Sequence, residues 1–308
     1  MDGTDIGLWG VPLAIIAGAI RVSTPFIFVS LGEMITERSG RINLGLEGTL
    51  VFGAMAAYAT AVLTGSPWLG VLAAMVAGSV FGLIHGFICK FPKVNDIAIG
   101  IAMMQFGMGL AFFLGKPFIQ PAAPKLPSIP FGAWSSVAQV QAALNINVLF
   151  LIGIALAFVL TWALRNTRLG LILRVVGDSS DAARAMGLNP DTIRLLATAI
   201  GGALAAVGGA YLSLFYPGSW NEGISSGQGL MAVALVIFAR WNPIGCLLAS
   251  LLFGGAGALG PALQSVGVTS GYYLFYAAPY VLTLVIMIAT SSPTRSLAGA
   301  PGALSLTK

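Results

Sequence analysis

The sequence predicts an all-α fold, a polytopic transmembrane helical bundle with about nine spans, and two observations support that prediction. The chain has 308 residues, of which 57% are hydrophobic and only 8% are charged. A soluble domain carries about a quarter charged residues, so a surface this poor in charge must be solvated by lipid. The 40 glycines fit the same fold, since small residues let membrane helices approach closely.

Nine apolar stretches approach the roughly 20 residues that a helix needs to cross a bilayer. They lie at residues 9–36, 46–63, 68–89, 94–114, 146–164, 193–215, 226–238, 243–263 and 271–290. Pro25 falls inside the first stretch and is expected to kink it. All nine belong to one transmembrane domain, residues 1–308. The long segments outside the bilayer are a proline-rich external loop at 116–145, a cytoplasmic loop at 165–192 and a cytoplasmic tail at 291–308.

The basic residues predict the orientation of the bundle. The segment Arg165–Arg194 is the densest in arginine, and such segments stay in the cytoplasm. Alternation from there leaves Lys116 and Lys125 outside and Arg21 within a helix, so twelve of the fifteen basic residues are cytoplasmic. The N-terminus is therefore expected outside and the C-terminus inside. The acidic N-terminal segment lacks the basic region of a signal peptide.

Several classes of function lack their motifs in this sequence. The basic residues form no stripe, which argues against nucleic-acid binding. No GxxxxGK[ST] phosphate loop, HExxH motif or GxSxG elbow occurs, so the chain is expected to be neither its own ATPase nor an enzyme. Cys89 and Cys246 lack metal-type spacing, and the single histidine, His85, is expected to be structural. We expect no catalytic, cofactor or metal site in this chain.

Polar residues in or beside the spans are candidates for a solute path, because ionisable groups in lipid are costly. Asn43 and Glu47 lie in a glycine-rich break between the first two spans. Irregular backbone at that depth is tolerated where it is buried or lines a cavity. Asn95 and Asp96 begin the fourth span, where a helix cap is the alternative role. Gln105 lies deeper, and its alternative role is a hydrogen bond to another helix.

Two further path candidates, Trp220 and Gln228, flank a glycine-rich polar stretch near the external face. An aromatic residue at the bilayer surface is the alternative reading for Trp220. Arg21, inside the first span, either pairs with a carboxylate such as Glu33 or Asp96 or extends its charge to the interface.

The cytoplasmic loop 165–192 contains the signals of a short helix at 179–186. Asp178 is the predicted N-cap, and Asp181 stands three residues later, as the acidic partner in a capping box does. Gly187 is suited to close the helix in a left-handed conformation, and Asn189-Pro190 to begin the next one. So short a helix is unstable alone in water, so either the chain's own ends or a partner must hold it. An ordinary connector is the alternative.

Taken together, these motifs resemble the permeases of ATP-binding cassette importers. The branch they resemble transports nucleosides and simple sugars with receptors of the basic membrane protein type, and is related to ribose and branched-chain amino acid permeases. The resemblance rests on the order and spacing of the segments at 37–48, 177–187, 201–211, 220–223 and 234–245. The proline-rich external loop matches nothing in that pattern.

The resemblance implies roles for individual residues. In that family the cytoplasmic loop fits a groove on the ATPase, which implies coupling residues Asp178, Asp181, Ala182, Ala183, Arg184, Met186 and Gly187. It also favours the path role for the break that holds Asn43 and Glu47. The further path candidates rest on residue type and position alone: Asn95, Asp96, Gln105, Trp220 and Gln228.

The implied function is a permease subunit, in a bacterial cytoplasmic (inner) membrane, that carries nucleosides or related simple sugars. Its implied partners are a separate ATPase that binds ATP and Mg, an extracytoplasmic receptor, and a second homologous permease in a heterodimer or a homodimer. The alternative is an ion-coupled secondary transporter or channel for a small polar solute, which calls for paired intramembrane acids or discontinuous helices in both halves. A membrane enzyme would need a converging acid, base or metal cluster, and none is evident.

Overall fold

A computed structural model describes residues 10–119, 121–264, 277–290 and 300–305. The helices, in chain order, are α1 (Gly10–Arg38), α2 (Leu46–Thr64), α3 (Pro67–Ile88), α4 (Asp96–Gly115), α5 (Ala138–Ala143), α6 (Val148–Asn166), α7 (Arg168–Asp178), α8 (Ser180–Ala185), α9 (Pro190–Leu214), α10 (Gln228–Phe238), α11 (Pro243–Gln264), α12 (Ala278–Thr290) and α13 (Gly302–Ser305). Two short strands, β1 (Ser128–Pro130) and β2 (Asn145–Asn147), pair antiparallel, and Lys116–Phe118 forms a 3₁₀ turn.

The structure confirms the helical membrane fold, and seven helices coincide with predicted spans. These seven, among the described residues, are long and apolar enough to cross a bilayer: α1, α2, α3, α4, α6, α9 and α11. The predicted span at 226–238 corresponds to α10, which has 11 residues. At about 1.5 Å per residue such a helix covers roughly half of a hydrocarbon core. For the span predicted at 271–290, α12 provides the last 13 residues, and 271–276 lie outside the described residues.

Helices α9, α2 and α11 are the most buried along their apolar stretches, and the second half of α1 is enclosed with them. About 72% of the most apolar stretch of α9 is buried and 67% of that of α2, against 22% for α4. Tyr211 of α9 and Leu50 of α2 are almost completely enclosed, as is Phe28 of α1. α4 and α6 lie at the periphery and present apolar faces outward. A face of α4 is therefore available to lipid or to another protein.

Glycines allow the backbones of α3 and α9 to touch. A Cβ added at Gly82 would overlap the carbonyl oxygen of Thr198, and one added at Gly202 would overlap that of Gly78. Lipid tails are as apolar as leucine, so close packing rather than a hydrophobic force holds membrane helices together. The glycines of α3 and α9 make this close approach possible.

The proline-rich loop 116–145 is fixed to one end of the bundle. The Tyr58 hydroxyl donates to the carbonyl of Pro121 at 2.8 Å, and the amide of Leu126 donates to that of Leu214 at 3.0 Å. Asn147 donates from its side chain to Pro127, beside the β1–β2 pair. The loop also contains the short helix α5. This loop is an ordered cap over the ends of α2, α6 and α9.

The predicted helix of the 165–192 loop is present, but the prediction of its N-cap is wrong. Asp178 is the last residue of α7 instead, and the N-cap is Ser179, whose hydroxyl accepts from the amide of Ala182. Helix α7 continues through Asp178 because Thr167 caps its start and its apolar face is sustained. Gly187, with φ +76°, and the Asn189 cap before Pro190 are as predicted.

A pair of neighbouring glycines on α11 tests how tightly the helices pack. A Cβ at Gly254 would lie 2.6 Å from the carbonyl oxygen of Ala19, whereas one at Gly255 would have only the Cβ of Ala19, at 3.8 Å. We expect Gly254→Ala to reduce stability by about 1–3 kcal/mol through overpacking.

Gly255→Ala is the matched control, and it should leave stability unchanged or raise it slightly, since alanine favours helix by about 1 kcal/mol. The measurement is thermal unfolding of the detergent-purified protein. Equal melting temperatures for the two variants would contradict the α1–α11 contact.

Candidate functional site

The break after α1 turns back into the bundle. The amide of Asn43 donates to a carboxylate oxygen of Glu33 at 2.7 Å, and the side-chain oxygen of Asn43 accepts from the amide of Gly45 at 2.9 Å. Glu33 precedes the end of α1 at Arg38 by five residues, or about 7 Å of helix rise. Helix α2 therefore starts inside the bundle, with an ordered, irregular segment before it.

Glu47, in the first turn of α2, also caps the start of α10. One carboxylate oxygen accepts from the hydroxyl of Ser225 and from the amide of Gly227 at 2.9 Å, and the other accepts from the amide of Gly229. Glu47 is 5% exposed. Amide groups at a helix start are orphan donors with a positive dipole end, which a carboxylate satisfies. One buried acid thus serves two helix N-termini.

The residues around Glu47 are small because the helices meet closely there. A Cβ at Gly229 would lie 2.5 Å from the Cα of Glu47, and one at Gly48 would lie 2.5 Å from the carbonyl oxygen of Met104 on α4. Gly227 has φ +84°, which a glycine adopts without strain. The starts of α2 and α10 and the middle of α4 therefore meet at one depth.

The connection from α9 to α10 has irregular backbone. Trp220 is buried in it, and its indole donates to the carbonyl of Gly115 at the end of α4. Asn221, Glu222 and Ser226 are exposed. The connection thus runs from the proline-rich-loop end of the bundle to the depth of Glu47, with a polar outer face. Trp220 fixes this connection to the end of α4. Gln228 is half-buried at the start of α10.

The three predicted path residues on and before α4 lie in different environments. Asn95 caps α4, accepting from the amides of Ile97 and Ala98. Asp96 pairs with Arg41 at 2.7 Å. Both side chains therefore have structural partners at the end of the bundle opposite the proline-rich loop. Gln105 is exposed on the outer face of α4, one residue beyond Met104, which packs on Gly48.

Sequence reasoning missed the clamp between α1 and the α10–α11 turn. The Arg38 guanidinium donates twice to the carbonyl of Trp241, at 3.0 and 2.9 Å, and the Trp241 indole donates to Glu37. Arg240 and Trp241 both have positive φ, at 50° and 54°. The sequence feature that could have indicated this contact is the ionisable pair Glu37 and Arg38 at the end of the first apolar stretch. Glu33 was likewise considered only as a partner for Arg21, although it is fully buried.

His85 has local partners. Its Nε2 lies 3.2 Å from the carbonyl oxygen of Ile42 and 3.6 Å from the sulfur of Cys89. This contact ties α3 to the break before α2. Within the described parts of the chain, no group of three or more metal-ligating side chains is assembled.

The helix α8 has one inward and one outward face. Ala183 is fully buried, so this predicted coupling residue packs against its own chain. The predicted residues Asp181, Ala182, Arg184, Met186 and Gly187 are exposed, and so is Asp178 before the helix. Asp181 and Arg184 form an exposed ion pair at 3.2 Å. The outward face is therefore available to a partner.

Comparisons with known proteins agree with this architecture. A guanosine ABC transporter permease protein of Bacillus subtilis is 32% identical, covering 89% of this chain and 91% of its own length. A nucleoside ABC transporter permease protein of Lactococcus lactis is 30% identical, covering 89% and 90%. A glucose ABC transporter permease protein of Haloferax volcanii is 28% identical, covering 75% and 65%. The family model "Branched-chain amino acid transport system / permease component" matches residues 15–291, and the chain therefore belongs to that family of membrane permease components.

Proposed function

We propose that this chain is the translocating subunit of an ATP-binding cassette importer for nucleosides or related simple sugars. Two relatives that match 89% of the chain are named as guanosine and nucleoside permeases, and this observation carries the substrate class. A third relative is named as a glucose permease, so simple sugars are part of the proposed substrate class. The ion-coupled alternative loses support, because all three relatives are named ABC transporter permeases.

The electrostatics of the interior suit an uncharged solute. The positive end of α10 is already neutralised by Glu47, so it holds no free capacity for an anion. The exposed polar groups at this depth, Gln105 and Ser226, are neutral donors and acceptors. Amide and hydroxyl groups pair with the hydroxyl groups of a sugar or nucleoside without demanding charge.

The exposed faces support a second, related permease subunit across the pathway. An amide on a lipid-facing helix surface is unfavourable, and irregular backbone at membrane depth needs protein or a water-filled cavity beside it. Gln105 is such an exposed amide, and the connection carrying Ser226 is such an irregular segment. We propose that the second subunit closes this side and that the solute passes between the two.

The charges favour a cytoplasmic position for the end that carries α8. Arg38, Arg41 and Arg194 lie at that end, whereas Lys125 lies beside Gly218 at the other. We place the C-terminus inside, the N-terminus outside and nine spans in an inner membrane. The partner ATPase, which supplies the ATP and Mg site, then docks on α8, and the receptor docks at the proline-rich loop.

The substrate proposal is tested by transport. The chain is reconstituted in proteoliposomes with its partner permease, ATPase and receptor, and uptake of radiolabelled guanosine and glucose is measured. We expect ATP-dependent uptake of at least one of them. Uptake driven by an ion gradient without the ATPase would contradict an ABC importer, and ATP-dependent uptake of neither would contradict the substrate class.

Docking through α8 predicts an effect at its exposed face. Ala182→Trp should abolish recovery of the ATPase with the affinity-purified permease, because the indole would occupy the contact, while membrane insertion persists. Ala133→Trp, an equal change at an exposed position in the proline-rich loop, is the control. Normal ATPase recovery with Ala182→Trp would exclude this face as the docking site. Ala183 is unsuitable for the test, since it is buried within the chain.

Glu47 is expected to be needed for transport. Glu47→Ala leaves up to three buried donors without acceptors, at about 1–3 kcal/mol each, and should abolish ATP-dependent uptake and lower the melting temperature. Glu47→Gln keeps one acceptor oxygen and should retain partial stability.

Glu222→Gln removes an exposed carboxylate of the α9–α10 connection and serves as the control for loss of charge alone. Wild-type melting and uptake in Glu47→Ala would show that the start of α10 needs no acid.

A further inference from the structure

A small basic cavity lies where α1, α6, α7 and α11 meet, at the end of the bundle that carries α8. Its volume is about 160 Å³, and Arg38, Arg165 and Arg174 line it. The other polar groups in its wall are those of Thr161 and Asn242, and no acidic side chain lines it.

The three arginines bring positive charge together, and Asp178 opposes only part of that of Arg38. Arg38 is held in place by its two bonds to the Trp241 carbonyl, and Arg174 donates to the carbonyl of Gly170 at 3.3 Å. Both partners are neutral, and among the described residues neither of the ion pairs includes any of the three arginines. Like charges converging on one cavity repel each other, so an anion bound there would stabilise the arrangement.

The cavity lies at the level where lipid headgroups meet the protein. It is lined by the last turn of α6 and the first residue of α11, both membrane-crossing helices. Trp162, which follows the lining residue Thr161 in the chain, is 61% exposed, and Leu169 at the start of α7 is 78% exposed. Large apolar side chains pointing outward beside arginines are typical of the boundary between hydrocarbon and headgroups.

We propose that this arginine cluster binds the phosphate group of an anionic phospholipid, whose acyl chains lie against the outer surface of α6. The planar guanidinium groups of arginine match phosphate oxygens with paired hydrogen bonds. Basic pockets between membrane helices on the cytoplasmic side are suited to lipid phosphates. The exposed apolar side chains of α6 and α7, Trp162 and Leu169 among them, favour a lipid over a soluble phosphate compound.

Binding at this place would fix α7, which supplies Arg174 to the cavity. Helix α7 ends at Asp178, and Ser179 is both its C-cap and the N-cap of α8. If α8 docks the ATPase, as in the proposed function, a bound lipid steadies the base of the docking helix. The lipid site itself does not depend on the solute carried.

The test measures lipid binding without any transport. The purified chain in neutral detergent is mixed with phosphatidylglycerol, phosphatidylcholine or inorganic phosphate, and bound lipid is read by native mass spectrometry together with the melting temperature. We expect retention of phosphatidylglycerol and a rise in melting temperature. Phosphatidylcholine and inorganic phosphate should give much smaller effects.

Variants of the exposed and half-buried arginines locate the site. Arg165→Gln and Arg174→Gln should each weaken phosphatidylglycerol binding about fivefold, since each removes a hydrogen bond to the phosphate that contributes about 1 kcal/mol. Arg168→Gln, on α7 with Arg174 but outside the cavity, should bind normally. Because Arg165 is exposed, its substitution should leave the fold intact.

Several outcomes would overturn the proposal. Equal binding of phosphatidylcholine would show that binding does not depend on the net negative charge of the headgroup. An equal effect of inorganic phosphate would assign the cavity to a soluble anion. Unchanged lipid binding in both cavity variants, or an equal loss in Arg168→Gln, would exclude this location. Failure of guanosine or glucose uptake leaves these readouts unaffected, so the two proposals are distinguishable.

Discussion

The buried carboxylate of Glu47 is the interaction on which the interior of this bundle depends, because two helices begin beside it. The amides of Gly227 and Gly229 both donate to Glu47, and a backbone donor left unsatisfied within a membrane costs several kcal/mol. Glu47 satisfies them, and in return the two helix starts and the Ser225 hydroxyl stabilise its charge. An acid that would be unfavourable alone thereby makes an 11-residue helix tolerable inside the membrane.

This arrangement requires small side chains at the contact, which explains where the glycines lie. Without Gly229 the start of α10 would be pushed away from Glu47, and without Gly48 the start of α2 would be pushed away from α4. The same packing fixes the depth of Gln105, because its neighbour Met104 lies against Gly48. A neutral amide is thus presented on the outer face of α4 at the level of the break. The position of Gln105 is thus a by-product of how α2 and α4 meet.

Local features of this protein were predictable and contacts across the break were not. The cap at Asn189 and the turn at Gly187 follow from residues within one turn of each helix end, and both were predicted. The cap at Asn95 was the alternative to its predicted path role. The Asp178 cap was wrong because Asp178 and Ser179 are both good caps, and the choice depends on where α7 stops. The inward face of Ala183 was missed because six residues are too few for a periodic pattern. The Glu33–Asn43 and Glu47–Gly229 bonds join residues whose proximity only the folded bundle determines.

A continuous set of contacts links the exposed helix α8 to Glu47. Arg194, five residues after the Asn189 cap, donates to the carbonyls of Val176 on α7 and Ser39 after α1. From Ser39 the chain leads through Asn43, held by Glu33, to the start of α2. The two Arg194 bonds are to backbone carbonyls, and the Asn43 bond is from a backbone amide, so all three hold the main chain rather than one side chain. These bonds join α7, α9 and the break before Glu47 at one end of the bundle, whereas the proline-rich loop is tied to the other ends of α2, α6 and α9.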